Sequence, residues 1–131
     1  VSTGTSSLAD VAAALDGGDR LAVLAASWDA FDAGQQVADA VAWQPGYDEL
    51  QVLAAAEAAT AGRALLPLPA GRPVALLDHE AALPECVGVL EKAGRCLAAL
   101  AEGGGEDAEA LRAAAARAVG AARCLRTARA A

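Results

Sequence analysis

Roughly three residues in ten of this chain are alanine, gathered in blocks that Gly and Pro interrupt. Alanine has the best intrinsic helix propensity, because its side chain loses no rotamer entropy when a helix forms. Alanine blocks bounded by breakers therefore commit the chain to helices separated by connections. The small side chains let those helices approach closely, but each buries little apolar area, and burial stabilises by about 25 cal/mol per Å². Such a fold rests on close packing around its few larger apolar residues.

The 131 residues read as one domain, long enough to bury a core, and 56% are hydrophobic. That composition excludes wholesale disorder. Ile, Asn and Met are absent and Lys92 is the single lysine. These residues have AT-rich codons, so the composition reads as that of a GC-rich bacterial genome, with an actinobacterial source expected. The formal charge is −7, which disfavours nonspecific attraction to nucleic acid or to an anionic membrane. No basic stretch leads into an apolar one near the start of the chain, and no run of about 18 apolar residues occurs. The expectation is a cytoplasmic protein with no membrane association. Cys86, Cys96 and Cys124 are an odd count without Cys-x-x-Cys spacing. That pattern predicts free thiols rather than a disulfide framework or a zinc site.

Periodicity and punctuation predict the elements. Ser7 and Asp10 make a capping-box pattern around Leu8, Val11, Ala12 and Leu15, a short helix ended by Asp16-Gly17-Gly18. Asp19 caps a long second helix running to about Trp43. Its Leu21, Leu24, Trp28, Phe31 and Gln35 form one stripe, and Val23, Ala30, Val37 and Val41 a second face. Two apolar faces predict a central helix with several neighbours. Gln44-Pro45-Gly46 breaks it, and Asp48 caps a third helix to about Leu66. Pro67, Pro69, Gly71 and Pro73 predict an extended connection, with Pro73 opening a short helical stretch to about Leu83. Pro84 then stands at the first position of a helix ending at Glu102. Its apolar face comprises Cys86, Val89, Leu90, Ala93, Cys96, Leu97 and Leu100. After Gly103-Gly104-Gly105, a last helix carries a narrow seam of Leu111, Ala115, Ala118, Ala122 and Leu125. The predicted fold is all-α, an antiparallel bundle of four longer helices plus a short N-terminal helix.

All four aromatic residues, Trp28, Phe31, Trp43 and Tyr47, fall within twenty positions. Trp28 and Phe31 are neighbours on one helix face. Three readings are open: wedges filling the core, anchors of a protein interface, or rings lining a small-molecule pocket with Gln35 as polar anchor. Trp28, Phe31, Gln35 and Trp43 are accordingly the candidate binding residues. Asp29, Asp32 and Asp39 read as a solvated acidic face, since no pattern converges enough oxygen ligands for a hard cation. Arg112, Arg123 and Arg126 lie on one side of the last helix, with acids at its start, as the helix dipole favours. This helix is expected to complement the acidic second helix, within the chain or across a two-fold dimer, with nucleic acid the disfavoured alternative.

His79, the single histidine, belongs to no di-iron, haem-attachment or hydrolase-triad motif and reads as solvent-facing near a helix end. Arg72 and His79 have six residues between them. That spacing is similar to the Arg-x(4-6)-His signature of HEPN-type ribonucleases, which are also small helical bundles. The resemblance covers those two residues, with Pro73 inside the spacing, and implies ribonuclease chemistry at Arg72 and His79. The chain otherwise points to a non-catalytic bundle acting by protein or small-ligand binding. Self-association is expected, and no cofactor and no metal.

Overall fold

The computed structural model of the protein describes residues 7–67 and 74–129. They hold five helices: α1 (Leu8–Asp16), α2 (Arg20–Val41), α3 (Glu49–Leu65), α4 (His79–Glu102) and α5 (Ala108–Ala128). The first three begin where local chemistry marks them. The Asp10 N–H donates to Ser7 Oγ while the Ser7 N–H donates to the Asp10 carboxylate, a reciprocal cap. Asp19 accepts from the Ala22 N–H, and Asp48 from the N–H groups of Leu50 and Gln51. Each cap satisfies donors that a first helical turn leaves unbonded, and is worth about 1 kcal/mol.

The fourth helix corrects the sequence reading. No separate helix runs from 74 to 78, and Pro84 lies inside α4 rather than at its start. Asp78 is the cap, its carboxylate accepting from the Ala81 N–H at 3.1 Å. Pro84 is therefore the sixth helical residue, and its missing N–H leaves the Glu80 carbonyl without its intrahelical donor. An interior proline costs about 3 kcal/mol. The buried neighbours Leu83, Cys86 and Val87 carry the helix across it. α2 ends at Val41, so Trp43 falls in the turn beyond it.

Four helices form a ring in the order α2, α3, α5, α4, and α1 packs against α2 and α4. Every neighbouring pair in the ring is antiparallel. Phe31 and Gly34 of α2 meet Gly62 and Ala59 of α3. The Asp48 N–H before α3 donates to the carbonyl of Ala128 in α5, while Glu57 meets Arg117. Along α4 and α5, Glu91 pairs with Arg126 and Gly94 lies against Ala115 and Val119. α3 and α4 consequently run in the same direction on opposite corners, and the described residues leading into α4 lie along α2. The contacts follow one another along α2. Arg63 meets Trp28 and Asp32, Val74 meets Asp32 and Gln36, His79 meets Gln36, and Glu80 meets Tyr47 beyond the end of α2.

The core is built as the composition requires. Leu24, Phe31, Leu90, Leu97, Leu111 and Leu125 are its largest fully buried side chains, set among alanines. Both predicted faces of α2 are buried apart from Leu21 and the partly exposed Trp28 and Gln35, and the whole predicted seam of α5 is buried. Glycines bring helices closest together. A β-carbon on Gly34 would lie 3.1 Å from Leu90 Cδ1, and one on Gly94 2.9 Å from Val119 Cγ2.

Charge pairing departs from expectation. α2 and α5 occupy a diagonal of the ring, so the arginines of α5 do not face the acids of α2. Arg117 pairs with Glu57 of α3 at 3.0 Å and Arg126 with Glu91 of α4. Nor are the three aspartates of α2 one solvated face. Asp39 is exposed, but Asp29 is buried and Asp32 half-buried against Arg63.

Candidate functional site

Trp28, Asp32 and Gln36 stand four residues apart on α2 and so share one side of the helix. Together they make a polar row where α3 ends and the segment leading into α4 passes. Arg63 lies over the Trp28 ring, 5.4 Å from guanidinium carbon to ring centroid, and its Nη1 is 3.4 Å from Asp32 Oδ1. Asp32 Oδ2 accepts from the Val74 N–H at 3.2 Å and from Gln36 Nε2 at 2.8 Å. The same Gln36 nitrogen donates to the Val74 carbonyl at 2.9 Å. With its amide N–H groups so used, Gln36 presents Oε1 to His79 Nε2 at 3.3 Å, which makes His79 the donor there. Both backbone polar groups of Val74 are thus held by α2 side chains, as a neighbouring strand would hold them. The row clasps the segment leading into α4 to α2 by groups already engaged with one another.

This row is the part of the molecule that sequence reasoning missed. Gln36 and Arg63 were not among the candidate residues. The signal was present, since Trp28, Asp32 and Gln36 repeat every fourth position. The partner of the row, however, is the backbone of Val74, and a backbone partner leaves no mark in a sequence. His79 is the first residue of α4 and is half-buried through its link to Gln36, not simply solvent-facing. Arg72, the other half of the ribonuclease-like spacing, lies outside the described residues.

Of the four candidate binding residues, three share one stripe of α2 and Trp43 stands apart. Phe31 is fully enclosed, its ring against Gly62. Trp28 is half-buried under Arg63, and Gln35 is half-buried on α2. Trp43 is 79% exposed in the turn after α2. From Trp28 to the end of α2 at Val41 the helix rises about 20 Å, so Trp28 and Trp43 belong to different regions of the surface.

Trp43 instead joins a second group at the end of the bundle. Leu50, in the first turn of α3, is 78% exposed, and Leu77, just before α4, is fully exposed. Tyr47 ties these segments together by donating its hydroxyl proton to Glu80 at 2.8 Å. Burial, with the Glu80 carboxylate next, pushes the Tyr47 phenol above its ordinary range, so it stays a donor. The last turn of α5 closes the same end through the bond from the Asp48 N–H to the Ala128 carbonyl.

Among the described residues no three His, Cys, Asp or Glu side chains gather as a metal site would require, and no helix is long and apolar enough to cross a membrane. All three cysteines are free, and burial pushes the Cys86 thiol up to about 12. Compared with protein-family models, with curated proteins and with solved structures, the chain finds no match.

Proposed function

We propose that this chain is a non-catalytic interaction module that binds protein through the end of the bundle carrying Trp43 and Leu50. The exposure of Trp43 carries the reading. An indole left 79% in water, at the same end of the bundle as a leucine 78% exposed, is apolar surface without a cover. Tryptophan is also the residue most enriched among those that dominate binding energy at interfaces. The turn that bears them is anchored by Tyr47–Glu80 and Asp48–Ala128, so the surface is preorganised. Preorganisation lowers the ordering cost of association.

A second copy of the chain is the first partner to test, in a two-fold pair that meets through this end. The major surface arginines of α5 that find acids do so within the chain, which moves the motive for pairing from charge to apolar burial. A photo-crosslinking residue at position 43 tests the reading in cells. It is expected to trap a discrete protein adduct, whereas the same residue at position 113, exposed on α5, is not. Sedimentation of the purified protein then tells whether that adduct is a second copy. Equal, diffuse labelling from both positions overturns the proposal.

A further inference from the structure

The geometry points to a binding groove for a small apolar carboxylate between the start of α4 and the end of α5. The groove has a volume of about 450 Å³ and is lined by Leu83, Pro84, Val87, Arg126 and Arg129. Three of the lining residues are apolar and two are arginines. No carboxylate lines it among the described residues, although the chain as a whole carries a net charge of −7. Two arginines and no acid in the lining favour an anionic partner on an otherwise acidic protein.

The two arginines are not equivalent. Arg126 is engaged by Glu91 of α4. Arg129, three residues on and so on the same side of α5, has no ion-pair partner among the described residues. Arg129 shares the surroundings of Tyr47 with Asp78 and Glu80, and Glu80 is already taken up by the Tyr47 hydroxyl. A planar guanidinium with free N–H groups beside an apolar lining matches a carboxylate joined to an apolar body.

Size decides between a small molecule and a peptide helix. From Leu83 to Val87 the apolar lining is one helical turn, about 6 Å. A docked amphipathic helix spreads its anchors over two or more turns. By contrast 450 Å³ lies in the range of small-ligand pockets, which pair an apolar lining with a few placed polar groups. At about 30 Å³ for each water-sized atom, the space accommodates a ligand of roughly ten to fifteen heavy atoms. The groove opens at the same end of the bundle as the proposed protein-binding surface, but Trp43 and Leu50 do not line it, so substitutions there and at Arg129 test the two readings separately.

The test uses decanoate as probe, with two-dimensional amide NMR of the intact chain. Saturable shifts confined to residues 83–87 and 125–129 are expected. Decanol, with the same body and no charge, is expected to bind at least about tenfold more weakly, as is decanoate to Arg129→Gln; losing one charge-assisted contact has that scale. Arg129→Lys should retain part of the affinity. Arg129 is exposed at the helix end, so an unchanged urea midpoint confirms that these variants fold. No saturable shift at millimolar decanoate overturns the assignment. So do shifts spread over the whole chain, or equal binding of decanol.

Discussion

The Phe31 ring lies so close to Gly62 that a β-carbon there would stand 2.4 Å from two ring carbons. This contact sets the separation of α2 and α3. It predicts opposite signs for one substitution at two helical glycines. Gly62→Ala forces a fully buried ring to move, and overpacking costs about 1–3 kcal/mol. The gain in helix propensity, about 1 kcal/mol, offsets only part of this, so a net loss is expected. Gly88→Ala, in α4 with nothing within 4 Å of the added carbon, should instead stabilise. Urea midpoints of the two variants check both signs, and a stabilised Gly62→Ala would falsify the packing account.

Truncating the two aromatics of α2 should separate a core residue from a surface one. Phe31→Ala empties a fully enclosed site among alanines that cannot collapse into it. The expected cost is the upper part of about 3–5 kcal/mol. Trp28→Ala removes a half-buried ring and its contact with Arg63, worth about 0.5–2 kcal/mol as a cation–π pair. Its total loss should be clearly smaller. Equal shifts in the denaturation midpoint would contradict this ranking.

Asp32 should control the segment leading into α4. Asp32→Ala strips the Val74 N–H, Arg63 and Gln36 of one shared acceptor. Hydrogen bonds to charged groups contribute about 1.5–3 kcal/mol each before rearrangement. Hydrogen exchange is the specific readout. The Val74 amide should lose protection by far more than the amides of α5, which Asp32 does not touch. Uniform loss across all helices would mean that Asp32 supports only global stability.

The thiols should differ in reactivity. Burial holds Cys86 protonated up to about 12, against 9.0 for an unburied thiol, whereas Cys96 and Cys124 are half-buried. At pH 8 a thiol reagent should modify Cys96 and Cys124 in the native protein and reach Cys86 only on unfolding. The linkage has a definite sign. Between pH 9 and about 12 the unfolded chain releases the Cys86 proton and the folded chain keeps it, so this residue lowers stability as pH rises through that window. Rapid native modification of Cys86, or a disulfide found without reductant, contradicts this picture.

How much was legible in the sequence follows from the range of each interaction. Ser7, Asp19 and Asp48 cap helices that begin within three residues of them, so local chemistry alone marks those starts. The apolar stripes of α2 and α5 are likewise set by spacing along one helix. Pro84 shows where local rules stop. A proline suits the first position of a helix or is tolerated inside one, and only the cap at Asp78 and the packing of Leu83 and Val87 decide which. The remainder belongs to tertiary structure because its partners are far apart in the chain. Phe31 is sealed by Gly62, Asp32 holds the backbone of Val74, and Arg117 and Arg126 find Glu57 and Glu91 instead of α2. The helices and their apolar faces were readable along the chain, since propensity, caps and periodicity act within a few residues. Their order around the ring, the docking of Val74 on α2 and the exposure of Trp43 were decided only when those faces packed, because burial depends on what stands opposite and not on what lies next in the chain.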